Sequence, residues 1–192
     1  MITLQIEGLR ELEQAIEGTK RKLPNEVAAA VNATSRKTKT EVTKDIQVHI
    51  DNVKAASVKR RIKIGVRASR QKLWATVTVL ESRRLGVGSF KGTRQTKTGV
   101  SYMTSKRSGR KIIPGGFMGA KPGIKTPKFN GQAFKRKGKA RYPIGKLDAV
   151  SPWGVFLKNN LRKQTVAKAE VELRDQIQER IRVNLLRRQG LI

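Results

Sequence analysis

The chain has 192 residues, with 43 Lys and Arg against 14 Asp and Glu, a formal charge of +29 and a pI near 11.4; a charge this large calls for a partner bearing phosphates or a strongly acidic protein surface. The length suits a single domain over 1–192, and a hydrophobic share of 37% with 5% aromatics allows a core that does not use every residue. With no Cys there is no disulfide framework and no thiolate metal site; no apolar run approaches the ~18–20 residues of a membrane span, and the N-terminus lacks the basic-then-apolar pattern of a secretory signal.

Ile2, Leu4 and Ile6 alternate with polar residues and predict a short strand, broken at Gly8. Leu9, Leu12, Ala15 and Ile16 predict a helix over 9–19, with Lys20, Arg21 and Lys22 suiting its C-terminal end. From Pro24, a first-turn residue, Val27, Val31, Thr34, Thr38, Val42 and Ile46 recur every three or four residues and predict a long amphipathic helix over 24–48. Its opposite face, with Arg36, Lys37, Lys39 and Lys44, reads as solvated. A second helical piece is expected near 53–62, burying Val53, Val58 and Ile62. Two antiparallel strands then follow, around 62–66 and 73–80, separated by 67–72. Ser151 and Pro152 read as an N-cap and first helical residue, with Trp153, Phe156 and Leu157 packing the first turns. Val166, Ala169, Leu173, Ile177, Ile181 and Leu185 form the longest clean helical stripe and predict a helix over 165–189, capped by Gly190.

Between these scaffolds lies a segment of a different kind. Residues 82–147 hold 18 Lys and Arg, no Asp, Glu or His, 12 of the 17 Gly and four of the 6 Pro. Net charge is +7 over 1–81, +18 over 82–147 and +4 over 148–192. Such a segment cannot cancel its own field, so it meets an anion or stays extended and solvated. Within it, 85–90, 112–117 and 142–144 read as strands of the body. The rest, 91–111 and 121–139, reads as an arm: a hairpin that orders against a partner, or a loop. The expected fold class is α+β, a small antiparallel sheet packed with long amphipathic helices plus a long basic Gly-rich excursion. The chain would comprise a helix-and-strand scaffold over 1–81, the basic strand and loop excursion over 82–147, and C-terminal helices over 148–192.

The catalytic inventory is thin. His49 is the only histidine, and a lone histidine is more often structural than catalytic; no Cys–His or Ser–His–Asp set can be assembled without it. Metal nucleases need clustered carboxylates, and 82–147 has none; Glu81 and Asp148 merely flank it. No phosphate-cradling glycine motif is complete. The expectation is a non-enzyme without cofactor or metal. Its chemistry is electrostatic. The residues expected to meet nucleic acid are Arg83, Arg84, Lys91, Arg94, Lys97, Lys106, Arg107, Arg110, Lys111, Lys135, Arg136, Lys137, Lys139 and Arg141, which neutralise phosphates without reading sequence. Phe90, Tyr102, Phe117, Phe129, Phe134 and Tyr142 interleave sparsely as possible base-stacking groups. The competing reading places these clusters on an acidic protein surface.

Several segments resemble the phage minor tail protein Z family, in matching order along nearly the whole chain. Ile6-Glu-Gly-Leu-Arg-Glu-Leu12 leads to an Ala/Val-rich helix ending at Val31-Asn-Ala-Thr34. Val53-Lys-Ala-Ala-Ser-Val-Lys-Arg-Arg-Ile62 resembles the family's short basic helix, and Gly115-Gly-Phe-Met118 its Gly-Ala-Phe-Ile element. The most specific run is Gly138-Lys-Ala-Arg-Tyr-Pro-Ile144, followed by Val150-Ser-Pro152. Residues 91–135 depart from the pattern. The resemblance implies a virion structural protein at the head–tail junction, a tail-completion or neck component assembled in the host cytoplasm. It implies a homo-oligomeric ring, neighbours such as the tail terminator and head connector, double-stranded DNA in the channel and no membrane. It implies no catalytic residues. The alternative from the residues themselves is a ribosomal-type or general nucleic-acid-binding protein, whose basic Gly/Lys extensions order on RNA.

Overall fold

The computed structural model describes residues 2–4, 23–81, 84–119 and 131–188. In chain order the elements are β1 (Ile2–Leu4), α1 (Leu23–His49), α2 (Ala55–Lys59), β2 (Ile62–Ile64), β3 (Ala75–Val79), β4 (Arg94–Gln95), β5 (Gly99–Tyr102), β6 (Lys111–Pro114), β7 (Gly116–Met118), β8 (Ala133–Arg136), β9 (Ile144–Lys146), α3 (Pro152–Lys158) and α4 (Leu161–Arg188). Among the described residues every strand pairing is antiparallel, in three-stranded sheets ordered β1-β3-β2, β4-β5-β6 and β7-β8-β9. The fold is α+β. The expected helix over 9–19 and the cap at Gly190 lie outside the described residues.

The chain divides into two compact units: 1–42, 62–79 and 160–192 form the first, and 43–61 with 80–159 the second. In the first, β1 and β2 flank β3, with Ile2 opposite Val77 and Ile62 opposite Val79. The stripe expected on α1 is buried at every position, from Val27 through Val31, Thr34, Thr38 and Val42 to Ile46. Val27, Ala28, Ala30 and Val31 pack with Ala68, Ala75, Leu173 and Ile177, so α1 and α4 share one core. Across that seam Lys37 pairs with Glu172, and Arg180 with Glu26 at 3.1 Å. The hydrogen bond to Glu172 chiefly, and the nearby carboxylate charges, hold the Lys37 ammonium above the ordinary lysine range. Helix α4 starts four residues earlier than its stripe predicts, and its 28 residues span about 42 Å.

The second unit is built from the segment whose structure its composition conceals. Val87, Val100 and Ala133 form its buried centre, against Tyr102, Ile113, Met118, Leu147 and Ala149. Residues 91–111 are neither loop nor loose hairpin: they supply β4 and β5 and lead into β6, with Val100 fully buried on β5. Asn52, 7% exposed, fastens this sheet, its Nδ2 donating to the carbonyls of Lys91 at 2.9 Å and Met103 at 2.6 Å. The run over 85–90 is not a strand. It makes single bridges, Gly86 to Asp148 and Phe90 to Val53, around a 3-10 turn at Val87–Ser89. Gly88 explains the turn: a side-chain carbon there would lie 1.6 Å from the Gly131 carbonyl oxygen, an approach that a strand with side chains forbids. Residues 112–117 form two strands, β6 and β7, hinged at Gly115 with φ of 68°. The last strand begins at Ile144, because Pro143 has no N–H to give a ladder. Ser151 caps α3 by accepting from the Gly154 N–H, and Phe156 is buried; Leu157, expected to pack, is 47% exposed.

Candidate nucleic-acid interface

The two units differ sharply in charge. The first carries 19 basic and 10 acidic side chains; the second carries 24 and 4. Of those four acids, Asp51 uses its Oδ1 to accept the Lys106 backbone N–H at 2.9 Å.

All fourteen expected contact residues belong to the second unit. Arg83 lies outside the described residues, and the other thirteen are exposed. They are carried on defined backbone. Lys91 stands just before the β4-β5-β6 sheet, Arg94 is on β4, Lys97 in the β4–β5 turn and Lys111 at the start of β6. Lys106 and Arg107 sit on a 3-10 turn capped by Ser105, whose Oγ accepts from the Arg107 N–H. Lys135 and Arg136 are the exposed half of β8, which buries Ala133 and Phe134; Lys137, Lys139 and Arg141 follow in the turn before β9. Two guanidinium groups are held by the protein itself. Arg110 donates to Ser101 Oγ at 3.1 Å and to the Gly92 carbonyl at 2.5 Å. Arg136 stands 6.0 Å over the Phe117 ring, a cation–π distance.

The aromatic expectation needs correction. Phe90 and Phe134 are buried, and each packs a neighbour, Tyr102 at 6.3 Å and Phe117 at 6.1 Å between ring centres. They build the core and have no face to offer a base. Tyr142, at 67% exposure, keeps one; Phe129 lies outside the described residues. Among the described aromatics of this segment Tyr142 alone is exposed, so the surface is rich in cations and poor in free ring faces.

Sequence reasoning missed a second group of cations. Lys54, Arg60, Arg61 and Lys146 line one cleft of about 350 Å³ in the same unit, together with Ser89 and Gly88. Only the repeated Gly-x-Gly at 86–88 hints at it beforehand, as a place where backbones approach closely. His49 is exposed at the end of α1. Glu81 and Asp148 are both exposed. Among the described residues no three His, Asp or Glu side chains are grouped to hold a metal, and no helix is long and apolar enough to cross a membrane.

No curated protein and no solved structure matched the chain. The family model of prophage minor tail protein Z (GPZ) matches residues 6–189. That span takes in both charge-paired helices, every strand of the described sheets except β1, and the whole basic surface; the chain belongs to the prophage minor tail protein Z family.

Proposed function

We propose that the protein completes the phage tail at the head–tail junction, as a homo-oligomeric ring whose second unit meets the DNA in the channel. Family membership makes it a phage tail protein, a structural component of the virion that works against other tail and virion proteins. The single observation that carries the finer reading is the division of charge. The first unit pairs ions across a helix seam, as a protein-contact scaffold does, while the second exposes all thirteen described cations of the expected set and has 24 basic against 4 acidic side chains. A ring repeats such a surface around its axis and gives a collar of positive potential, which suits a duplex passing through without sequence preference. Its neighbours would be the tail terminator and the head connector, with assembly in the host cytoplasm. Its role is contact, not catalysis.

Electron microscopy of particles carrying a tagged copy tests this reading. It expects ring density at the head-proximal end of the tail. Label at the distal tip, or a single copy per particle, would contradict it.

A further inference from the structure

The cleft in the second unit is lined by cations outside the expected set of fourteen, and its construction points to a ligand. Three stretches distant in sequence converge on it: α2 with its flanks, the 3-10 turn at Val87–Ser89, and the β7-β8-β9 sheet. They bring two lysines and two arginines to one concavity, and among the described residues no carboxylate lines it. Four like charges around one concavity give it a positive potential that an anion would neutralise.

The cations are also placed. Arg61 donates through Nη1 to the Ser57 carbonyl at 3.1 Å and through Nη2 to the Arg84 carbonyl at 3.3 Å, which fixes its plane. Arg60 donates through Nε to the Ala56 carbonyl at 3.3 Å. The Lys146 stem runs against Gly86, where an added side-chain carbon would lie 2.9 Å from its Cε. That same carbon would lie 3.7 Å from Oδ1 of Asp148, a carboxylate that stands near Gly86 without lining the cleft. Gly88 closes the hollow by packing its Cα face on the Gly131 carbonyl. Glycine at 86 thus leaves room for the Lys146 stem, and glycine at 88 lets the turn close on Gly131.

We propose that this cleft is a phosphate-binding site, taking one phosphate or phosphodiester group between Lys54, Arg60, Arg61 and Lys146. The Arg60 guanidinium suits phosphate oxygens, Arg61 adds a fixed positive charge beside it, and the lysines add mobile point charges. At about 350 Å³ the hollow is within the range of small-molecule sites and has room for the sugar attached to the phosphate. The group comes either from a polynucleotide backbone or from a free nucleotide. The site does not require the proposed DNA contact of the exposed surface.

Titration calorimetry on the full chain tests it, with inorganic pyrophosphate as the probe. The variant pair Arg60→Gln and Lys146→Gln is compared with Lys97→Gln and Lys111→Gln, which removes the same charge outside the cleft; Arg61 is left intact because it holds backbone. Saturable pyrophosphate binding is expected, weakened at least about tenfold by the cleft pair and less than about twofold by the control pair, where tenfold is 1.4 kcal/mol. Displacement by duplex DNA but not by a deoxynucleoside monophosphate assigns the group to a polynucleotide; the reverse assigns it to a free nucleotide. Absence of saturable pyrophosphate binding, or equal weakening by both pairs, overturns the site. If the cleft pair fails to fold, acylation of the unaltered protein decides. Pyrophosphate should protect Lys54 and Lys146 but not Lys97 and Lys111, and identical labelling with and without it overturns the proposal.

Discussion

Replacing Gly88 by Ala tests whether the second unit is closed by backbone contact. The added carbon would sit 1.6 Å from the Gly131 carbonyl oxygen, 2.7 Å from its carbonyl carbon and 3.2 Å from the Gln132 Cα. Side-chain carbons do not approach other atoms below 3.0 Å, so the two backbones must part by about 1.4 Å. The movement cannot be absorbed by a rotamer, because all three obstructing atoms are main chain. It displaces Val87 and Ala133, two of the three buried residues at the unit's centre. Overpacking of this kind costs about 1–3 kcal/mol, and a backbone clash belongs at the upper end. At ~2–4 °C per kcal/mol for a chain of this size, the melting temperature should fall by about 6–12 °C. Thermal unfolding followed by circular dichroism reads it. Gly138→Ala is the control, since an added carbon there meets nothing within 4 Å; it should melt within about 2 °C of the parent. A Gly88→Ala protein as stable as the control would refute the packing argument, and with it the account of the 3-10 turn.

Asn52→Leu should destabilise the second unit by about 2 kcal/mol or more, because the Lys91 and Met103 carbonyls lose their donors. A lower urea midpoint with faster hydrogen exchange over 91–103 is the expected pattern, and unchanged exchange there would show that the sheet does not depend on it. Lys37 should titrate above the ordinary lysine range by NMR and return to it in Glu172→Gln. Since its folded-state pKa is the higher one, the pair's contribution is complete below the unfolded value and is lost as pH rises through the folded one. An identical Lys37 titration in both proteins would remove the ion pair from the account.

Where periodicity and burial coincide, the fold was legible. The α1 stripe is buried at all six predicted positions, and the β-branched runs on either side of 67–72 pair as β2 and β3. The Ser151 cap reads directly from a residue pair. What escaped was set by contacts distant in sequence. Nothing local to Asn52 shows that it will bind the carbonyls of residues 91 and 103, so the Gly- and Lys-rich stretch between them looked like an arm. Nothing local to Gly88 shows that Gly131 lies against it. Phe90 and Phe134 looked available for bases because their neighbours are basic; the strands and turns that bury them are specified elsewhere. The exposed cations were legible because charge density alone forces them outward. The cleft was not, because its four cations come from two separate stretches, 54–61 and 146.

The salt dependence of binding to duplex DNA tests most directly whether the second unit's basic surface meets phosphates. Lys135, Arg136, Lys137 and Lys139 are exposed on and just after β8, so changing all four to Gln should leave the melting curve nearly unaltered. Each neutralised phosphate contributes about 0.9 to the slope of log K against log salt. The parent should therefore show a steep slope, and the fourfold variant should lose about 3–4 units of it along with most of its affinity at low salt. An unchanged slope and affinity would contradict the account and place this cluster against an acidic protein neighbour instead.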